Sequence, residues 1–191
     1  MGEIDQNAIA EAVAKIIVAI GEDPQRDGLL DTPRRVAEMY QELFSGLHQD
    51  PRDELKVGYE LGHRELVLLK DINFYSMCEH HMLPFFGVVH IGYIPNEDGR
   101  VVGISKLARV VECISRRPQI QERMATQIAD AINDALKPSG VAVVVQAEHL
   151  CMVMRGIKKP GSSVITSALR GIFRKQAAAR AEFFSLIQSG K

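Results

Sequence analysis

The spacing of hydrophobic residues divides the chain into a helical first part and a longer, mixed second part. Apolar residues recur every three or four positions over residues 7–20 and again over residues 32–46, which predicts two amphipathic helices. Residues 48–64 are polar and irregular, and the hydrophobic period changes after them. The pattern therefore predicts a helical N-terminal region over residues 1–60 and an α+β unit over residues 61–191.

The second part alternates between short β-branched runs and helical patterns. We expect strands at residues 66–69, 85–94, 101–104, 141–155 and 162–169. We expect one helix with Ser105 as its N-cap, another that Pro118 opens, and a closing helix over residues 173–187. A turn signal at residues 96–99 predicts that residues 101–104 return as the hairpin partner of the preceding strand.

The run from Val141 to Arg155 brings chemically active side chains together. Side chains alternate between two faces along a strand, so the odd-numbered residues of this run share one face if the strand is regular. His149, Cys151 and Arg155 then lie on that face at the far end of the strand. Burial of apolar surface does not select an imidazole, a thiol and a guanidinium, so the triplet predicts a functional site.

The motif Cys78-Glu79-His80-His81 supplies two candidate ligands for a metal ion. Cys78 and His81 are three residues apart, so one turn of backbone can direct both at one ion, and zinc prefers thiolate and imidazole ligands. With Cys151 as the natural third ligand, the set matches a catalytic zinc site that keeps one position for water. The open alternative is a structural zinc with a fourth protein ligand, for which the candidates are His80, His149 and Cys113.

Composition and charge restrict the kinds of partner. The 191 residues are 46% hydrophobic and 25% charged, and the formal net charge of −1 gives no reason to expect nucleic acid or membrane as a partner. No apolar run approaches the ~18 residues of a membrane span, and the acidic N-terminal residues do not resemble a secretory signal. Three widely spaced cysteines do not make a disulfide framework, so we expect a cytoplasmic protein.

Several motifs resemble those of the GTP cyclohydrolase I family. They are Cys78-Glu79-His80-His81, Gly103-Ile104-Ser105-Lys106-Leu107-Ala108-Arg109, Gln119-Ile120-Gln121-Glu122-Arg123 and Glu148-His149-Leu150-Cys151-Met152-Val153-Met154-Arg155-Gly156. Residues 28–37 and 166–171 also resemble the family. The similarity therefore covers nearly the whole chain, with its motifs in order.

The resemblance implies a zinc-dependent hydrolase that opens the imidazole ring of the guanine in GTP. In this family water attacks C8 with the help of the zinc, formate leaves, and the ribose rearranges to give 7,8-dihydroneopterin triphosphate. This is the first step of tetrahydrofolate and pterin biosynthesis. The resemblance assigns zinc binding to Cys78, His81 and Cys151, proton transfer to His80 and His149, and a role as acid or hydrogen-bond donor in the ribose rearrangement to Ser105.

The same resemblance assigns residues to the substrate. Guanine presents two donors side by side, N1–H and the 2-amino group, and the carboxylate of Glu122 can accept from both, with Gln121 adding contacts to the ring. The triphosphate requires cations, for which the candidates are Lys106, Arg109 and Arg155, with Arg35 as a further candidate from a neighbouring subunit. Without the resemblance, the helix dipole explains Glu122. Lys106 and Arg109 then form either a solvated charged face or an anion site near the start of a helix, and both interpretations stay open.

The fold of the family is the tunnelling fold, an antiparallel sheet with helices packed on one side. The resemblance implies that sheets of neighbouring subunits join into a barrel, that ten subunits form two stacked pentamers, and that the active sites lie at subunit interfaces. Two other interpretations stay open. One is another tunnelling-fold enzyme acting on a pterin or purine, against which the Cys/His/Cys set argues. The other is a zinc-stabilised nucleotide-binding module without catalysis.

Overall fold

Two helices at the N-terminus form a hairpin in the computed structural model, which describes residues 4–189. Helix α1 spans Gln6–Ala19 and helix α2 spans Thr32–Leu43, as the hydrophobic spacing predicts. Residues 1–3, on which the expectation about a secretory signal partly rests, lie outside the described part. The division of the chain near residue 60 stays a prediction. Among the described residues, none of the helices combines the length and apolar character that crossing a bilayer requires.

A mixed sheet forms the centre of the molecule. The strands are β1 (Gly58–Glu60), β2 (Val67–Cys78), β3 (Pro84–Ile94), β4 (Arg100–Val102), β5 (Pro118–Gln119), β6 (Gly140–His149) and β7 (Val164–Gly171). Five of them form one sheet in the order β5-β2-β3-β6-β7, in which all neighbours are antiparallel except the short β5, which runs parallel to β2. Strands β1 and β4 form a separate antiparallel pair.

The remaining helices cover the two faces of this sheet. A 3-10 turn at Pro51–Leu55 precedes the strands, and the later helices are α3 (Ile104–Ser115), α4 (Gln121–Leu136), α5 (Leu150–Val153), α6 (Ile172–Lys175) and α7 (Ala177–Gln188). The apolar faces of α3 and α4 pack against Val143 and its odd-numbered neighbours in β6. Phe183 of α7 packs on the opposite face, against Ala142 and Val144. The alternation of β6 therefore buries side chains on both faces of the sheet. The α+β class is confirmed, but helices pack on both faces of the sheet instead of on one side only.

Strand β2 is three times as long as the run that predicts it. The described strand continues from the apolar run through a bulge, where the pairing register with β3 shifts between Leu69 and Ile72. Asp71 adopts a positive φ of 59° at this bulge. Because the bulge interrupts the alternation of side chains, the hydrophobic pattern predicts only the first part of the strand.

Three predictions, about the pairing of β4, the start of α3 and the role of Pro118, were wrong. Strand β4 pairs with β1, not with β3, because β2 and β6 occupy both edges of β3. Helix α3 begins at Ile104 with Gly103 at the cap position, so Ser105 lies in the first turn instead of capping it. Pro118 lies in β5, three residues before α4 begins.

Two further elements are shorter than the sequence predicts. Strand β6 ends at His149, and the next four residues form the helical turn α5. The reason is that His149 pairs with Phe85, one residue from the start of β3, so the ladder has no partner strand beyond this point. The predicted closing helix is divided into α6 and α7 at Gln176, which is extended with φ −113° and ψ 122°.

The sheet has two ends. We call one the triad end, after the three candidate metal ligands Cys78, His81 and Cys151, and the other the α3 end. Cys78 of β2, Phe85 of β3 and His149 of β6 lie at the triad end. At the α3 end the hydroxyl of Tyr93 accepts a hydrogen bond from the N–H of Val102, 3.2 Å away, and α3 begins two residues later. Eight residues of β3 separate Phe85 from Tyr93, which corresponds to roughly 25 Å.

Candidate active site

Three predicted metal ligands meet at the triad end. The sulfurs of Cys78 and Cys151 and a ring nitrogen of His81 all lie within 4.8 Å of one another. The Cys78 Sγ to His81 Nδ1 distance is 3.9 Å. Ligand atoms around a tetrahedral zinc are about 3.5–3.8 Å apart, given Zn–S and Zn–N bonds of about 2.0–2.3 Å. The donor set and its spacing therefore fit a metal ion of the zinc type.

A tight turn after β2 brings two of these ligands together. The N–H of Cys78 donates to the carbonyl of Leu83 at 2.8 Å, and the N–H of Met82 donates to the carbonyl of Cys78, also at 2.8 Å. Met82 adopts a positive φ of 52°, which closes the turn. Cys78 itself is buried at the edge of the core, so the turn folds the exposed His81 back over a fixed sulfur.

Cys151 reaches the site by a route that differs from the predicted one. It lies on α5, after the end of β6, and not on one strand face with His149 and Arg155. The ligand is the predicted residue, but a helical turn places it there instead of strand alternation. Burial, and then the adjacent thiol of Cys78, raise the pKa of Cys151. The Cys151 thiol therefore favours its protonated form until a metal displaces the proton.

Arg155 contacts the third ligand directly. Its Nη1 lies 3.2 Å from Nε2 of His81, and both side chains are exposed. A guanidinium only donates, so this contact requires Nε2 as acceptor and places the ring proton on Nδ1, which faces Cys78. Arg155 therefore lies directly beside the metal group.

His149 is held more firmly than any other imidazole of the site. Its ring stacks on that of Phe85, with centroids 4.6 Å apart and an interplanar angle of 1°. Its Nε2 lies 2.8 Å from Oε1 of Gln121. Burial lowers the pKa of His149, while the charge of Glu122 acts in the opposite direction. The ring is therefore fixed in orientation and favours its neutral form.

The side-chain amide of Gln121 is fully engaged with the protein. Gln121 is only 1% exposed, and its Nε2 lies 3.0 Å from two backbone carbonyl oxygens, those of Val145 and Val164. Carbonyl oxygens only accept, so the amide group must face them and Oε1 must face His149. His149 therefore donates from Nε2 and keeps a lone pair on Nδ1. The contact of Gln121 with the guanine ring stays a prediction.

Three neighbours complete the triad end. His80, on the turn between two ligands, has a side chain that is 65% exposed. Glu122 is exposed in the first turn of α4. The carboxylate of Glu79 pairs with Arg123, which also lies in the first turn of α4. Sequence reasoning did not assign Arg123 to the site. The available signal was an arginine at a helix N-terminus, where the dipole disfavours a cation.

The structure places the other predicted anion-binding residues at the α3 end. Lys106 Nζ and Arg109 Nη1 lie 3.5 and 3.8 Å from the Glu54 carboxylate. Ser105 is exposed one residue before Lys106. Within the described residues, no contact joins these three side chains to the metal ligands. Arg35 pairs with Asp31, at 3.3 Å, on the first turn of α2.

Comparisons with known proteins agree with these features. The model of the family described as GTP cyclohydrolase I matches residues 9–188. A protein named GTP cyclohydrolase 1 from Dehalococcoides mccartyi (strain CBDB1) is 76% identical over 184 residues, covering 96% of this chain and 97% of its own. A protein of the same name from Geobacillus kaustophilus (strain HTA426) is 58% identical, covering 99% of this chain and 100% of its own.

One solved structure also aligns with part of the chain. It is the crystal structure of the archaeosine synthase QueF-Like in the apo form, with a TM-score of 0.44 and 25% sequence identity. The alignment covers 56% of this chain and 93% of that one.

Proposed function

Because the chain belongs to the GTP cyclohydrolase I family, we propose that the triad end carries its active site. The protein is an enzyme that hydrolyses GTP to 7,8-dihydroneopterin triphosphate and formate, in pterin and folate biosynthesis. The observation that carries the proposed site is the Cys78–His81–Cys151 group, which could bind a metal, with two further imidazoles beside it. The family's tunnelling fold agrees with the mixed sheet and its packed helices.

We propose zinc as the metal of this group. Two thiolates and one imidazole are the soft and borderline ligands that zinc prefers, and the three residues leave room for water. Cys78, His81 and Cys151 would hold the zinc, which would supply Lewis acidity for the activation of water. The core behind Cys78 and the tight turn under His81 keep the ligand atoms in place. The remaining chemistry falls to side chains of this chain.

Proton transfer is assigned to the two imidazoles beside the metal ligands. The ring of His149 favours its neutral form, and its Nε2–H donates a hydrogen bond to Oε1 of Gln121. The free lone pair on Nδ1 can therefore act as a general base. His80 is more exposed and is not buried against a partner. We assign the proton steps of ring opening chiefly to His80. Gln121 holds His149, and its contact with the guanine ring is part of the same proposal.

Substrate recognition is divided between Glu122 and the cations. Glu122 lies close enough to His149 for its charge to act on that ring, and it is exposed, so its carboxylate can accept from guanine N1–H and the 2-amino group. Arg155 supplies a guanidinium for the triphosphate beside the metal group. Lys106 and Arg109 are the other proposed cations, with Arg35 as an outer one. Ser105 is the proposed acid or hydrogen-bond donor in the ribose rearrangement.

The position of these cations supports an oligomer with shared sites. The triad end and the α3 end of one chain are separated by most of the length of β3, so one chain does not gather all proposed residues in one pocket. Strand β7 is an edge strand, and β5 covers only two residues of the outer edge of β2. Pairing of these edges between chains would join sheets into the proposed barrel, in a decamer of two pentamers.

The activity is tested by incubating zinc-loaded protein with GTP. We expect release of formate together with a neopterin that becomes fluorescent on oxidation. His80→Ala should still bind GTP, because the metal and the guanine contact remain. It should release little formate, because the imidazole that transfers protons is absent. Absence of product from zinc-replete wild-type protein would contradict the function. Full turnover by His80→Ala would contradict the role of that imidazole and leave the function intact.

A further inference from the structure

We propose that Arg123 is a positioning residue for the reaction, which acts through Glu79 on His80. This proposal rests on the site proposed above and gives a role to Glu79, to which the motif analysis assigned no chemistry. The guanidinium of Arg123 donates to one carboxylate oxygen of Glu79, Oε2. The other oxygen, Oε1, lies 3.9 Å from Nε2 of His80. The carboxylate therefore stands between an arginine on α4 and the imidazole of the turn.

The guanidinium of Arg123 is itself held on two further sides. Its Nε donates to Oε1 of Gln119 at 3.0 Å, and its Nη2 donates to the carbonyl of Pro118 at 3.1 Å. Gln119 has no exposed surface, and its Nε2 donates to the carbonyl of Ile114, 3.0 Å away. Because a buried amide holds the guanidinium of Arg123, the guanidinium holds the Glu79 carboxylate in one position. A solvated ion pair would not restrain the carboxylate in this way.

Local helix energetics do not explain an arginine at this position. Arg123 lies in the first turn of α4, where the helix dipole favours anions and disfavours cations. The same turn carries Glu122, which satisfies that preference. The ion pair with Glu79 connects Arg123 to the turn that carries Cys78 and His81.

The backbone also connects the two segments. The N–H of Glu79 donates to the carbonyl of Gln119 at 3.0 Å, which continues the pairing of β2 with β5. One turn of α4 thus reaches both proton-transfer residues, His149 through Gln121 and His80 through Arg123 and Glu79. His80 has little other support, because its side chain is 65% exposed. Loss of the ion pair would widen the range of ring positions without removing a ligand or a substrate contact.

The test compares three variants of the zinc-loaded full chain: Arg123→Met, Arg123→Lys and Glu79→Gln. Each is assayed for kcat and KM with GTP, by formate release, and for bound zinc per chain. We expect Arg123→Met and Glu79→Gln each to lower kcat about tenfold or more, with KM changed less than about threefold and zinc unchanged. Arg123→Lys should recover part of kcat. A fourth variant, which combines Arg123→Met with Glu79→Gln, should be no slower than the slower of these two single variants, because the two residues act as one unit.

Asp130→Asn is the matched control. Asp130 also lies on α4 and pairs with an arginine, Arg170, at 2.7 Å, but this pair points to β7. We expect Asp130→Asn to affect thermal stability as the test variants do, without a change in kcat. Unchanged kcat in Glu79→Gln, multiplicative losses in the double variant, or loss of zinc with unchanged turnover per zinc would each overturn the proposal. A wild-type protein without turnover would instead overturn the proposed site.

Discussion

At the scale of single residues, Cys151 allows the most direct test of the metal group. The Cys151→Ser variant replaces a soft sulfur ligand by a poorly coordinating hydroxyl. We expect zinc affinity to fall roughly a hundredfold or more, which elemental analysis after dialysis against a chelator would measure. Formate release should be lost with the zinc. Cys113→Ser is the control, because Cys113 is also buried but contacts Arg117 and the Gln49 carbonyl. Stoichiometric zinc in Cys151→Ser would exclude this ligand.

Glu122 tests the recognition of guanine separately from the metal. Glu122→Gln replaces a carboxylate that accepts two hydrogen bonds by an amide with one acceptor and one donor group. Hydrogen bonds to a charged group are stronger than neutral ones, so we expect KM for GTP to rise about 10–100-fold while zinc stays bound. Glu112→Gln, at an exposed carboxylate of α3 that pairs with Arg116, should leave KM unchanged. An unchanged KM in Glu122→Gln would remove it from the guanine contact.

Residue types alone predicted the metal ligands. The positions of residues that depend on buried polar partners could not be predicted from the sequence. Cys78, His81 and Cys151 could be named from the sequence, because few environments other than a metal site bring thiols and imidazoles together. The places of Gln121 and Arg123 could not be derived. Each depends on which side chain lies opposite in the folded sheet, and the sequence shows neither the carbonyls near Gln121 nor the carboxylate near Arg123.

At the scale of elements, the pairing of β3 with β6 supports the triad end. Gly87 of β3 lies against β6 so closely that an added Cβ would be 2.0 Å from the Gln146 carbonyl oxygen. Gly87→Ala should therefore separate these strands and lower the melting temperature by roughly 4–10 °C. Gly103→Ala, whose Cβ would meet only side-chain atoms 3.9 Å away or farther, is the control and should cost less than about 1 kcal/mol. Equal melting temperatures would show that β3 and β6 can shift freely.

Hydrophobic periods predicted most elements but not where strands end. The alternation in β6 was visible, and it continues in the sequence as far as Arg155, whereas the strand stops at His149 because β3 offers no further partner. The bulge at Asp71 hid the second half of β2 for a related reason. Strand ends and bulges depend on the neighbouring strand, which local pattern does not describe.

At the scale of the whole molecule, the distance between the two ends of the sheet determines which residues of one chain can contact the same substrate molecule. The metal group, His149 and Glu122 lie at the triad end, whereas Lys106 and Arg109 lie at the α3 end. If all of them serve one substrate, a site consists of the triad end of one chain and the α3 end of another. Mixed oligomers of two inactive variants can test this arrangement, because each variant damages only one end.

Cys151→Ser and Arg109→Ala, carried on differently tagged chains and purified as mixed oligomers, form the informative pair. Each variant alone should release little formate. In a random mixture of equal parts, one site in four combines an intact triad end with an intact α3 end, so about a quarter of wild-type activity should return. Cys151→Ser mixed with His81→Ala is the control, since every site then has a damaged triad end and no activity should return. Sites built within single chains would leave both mixtures inactive.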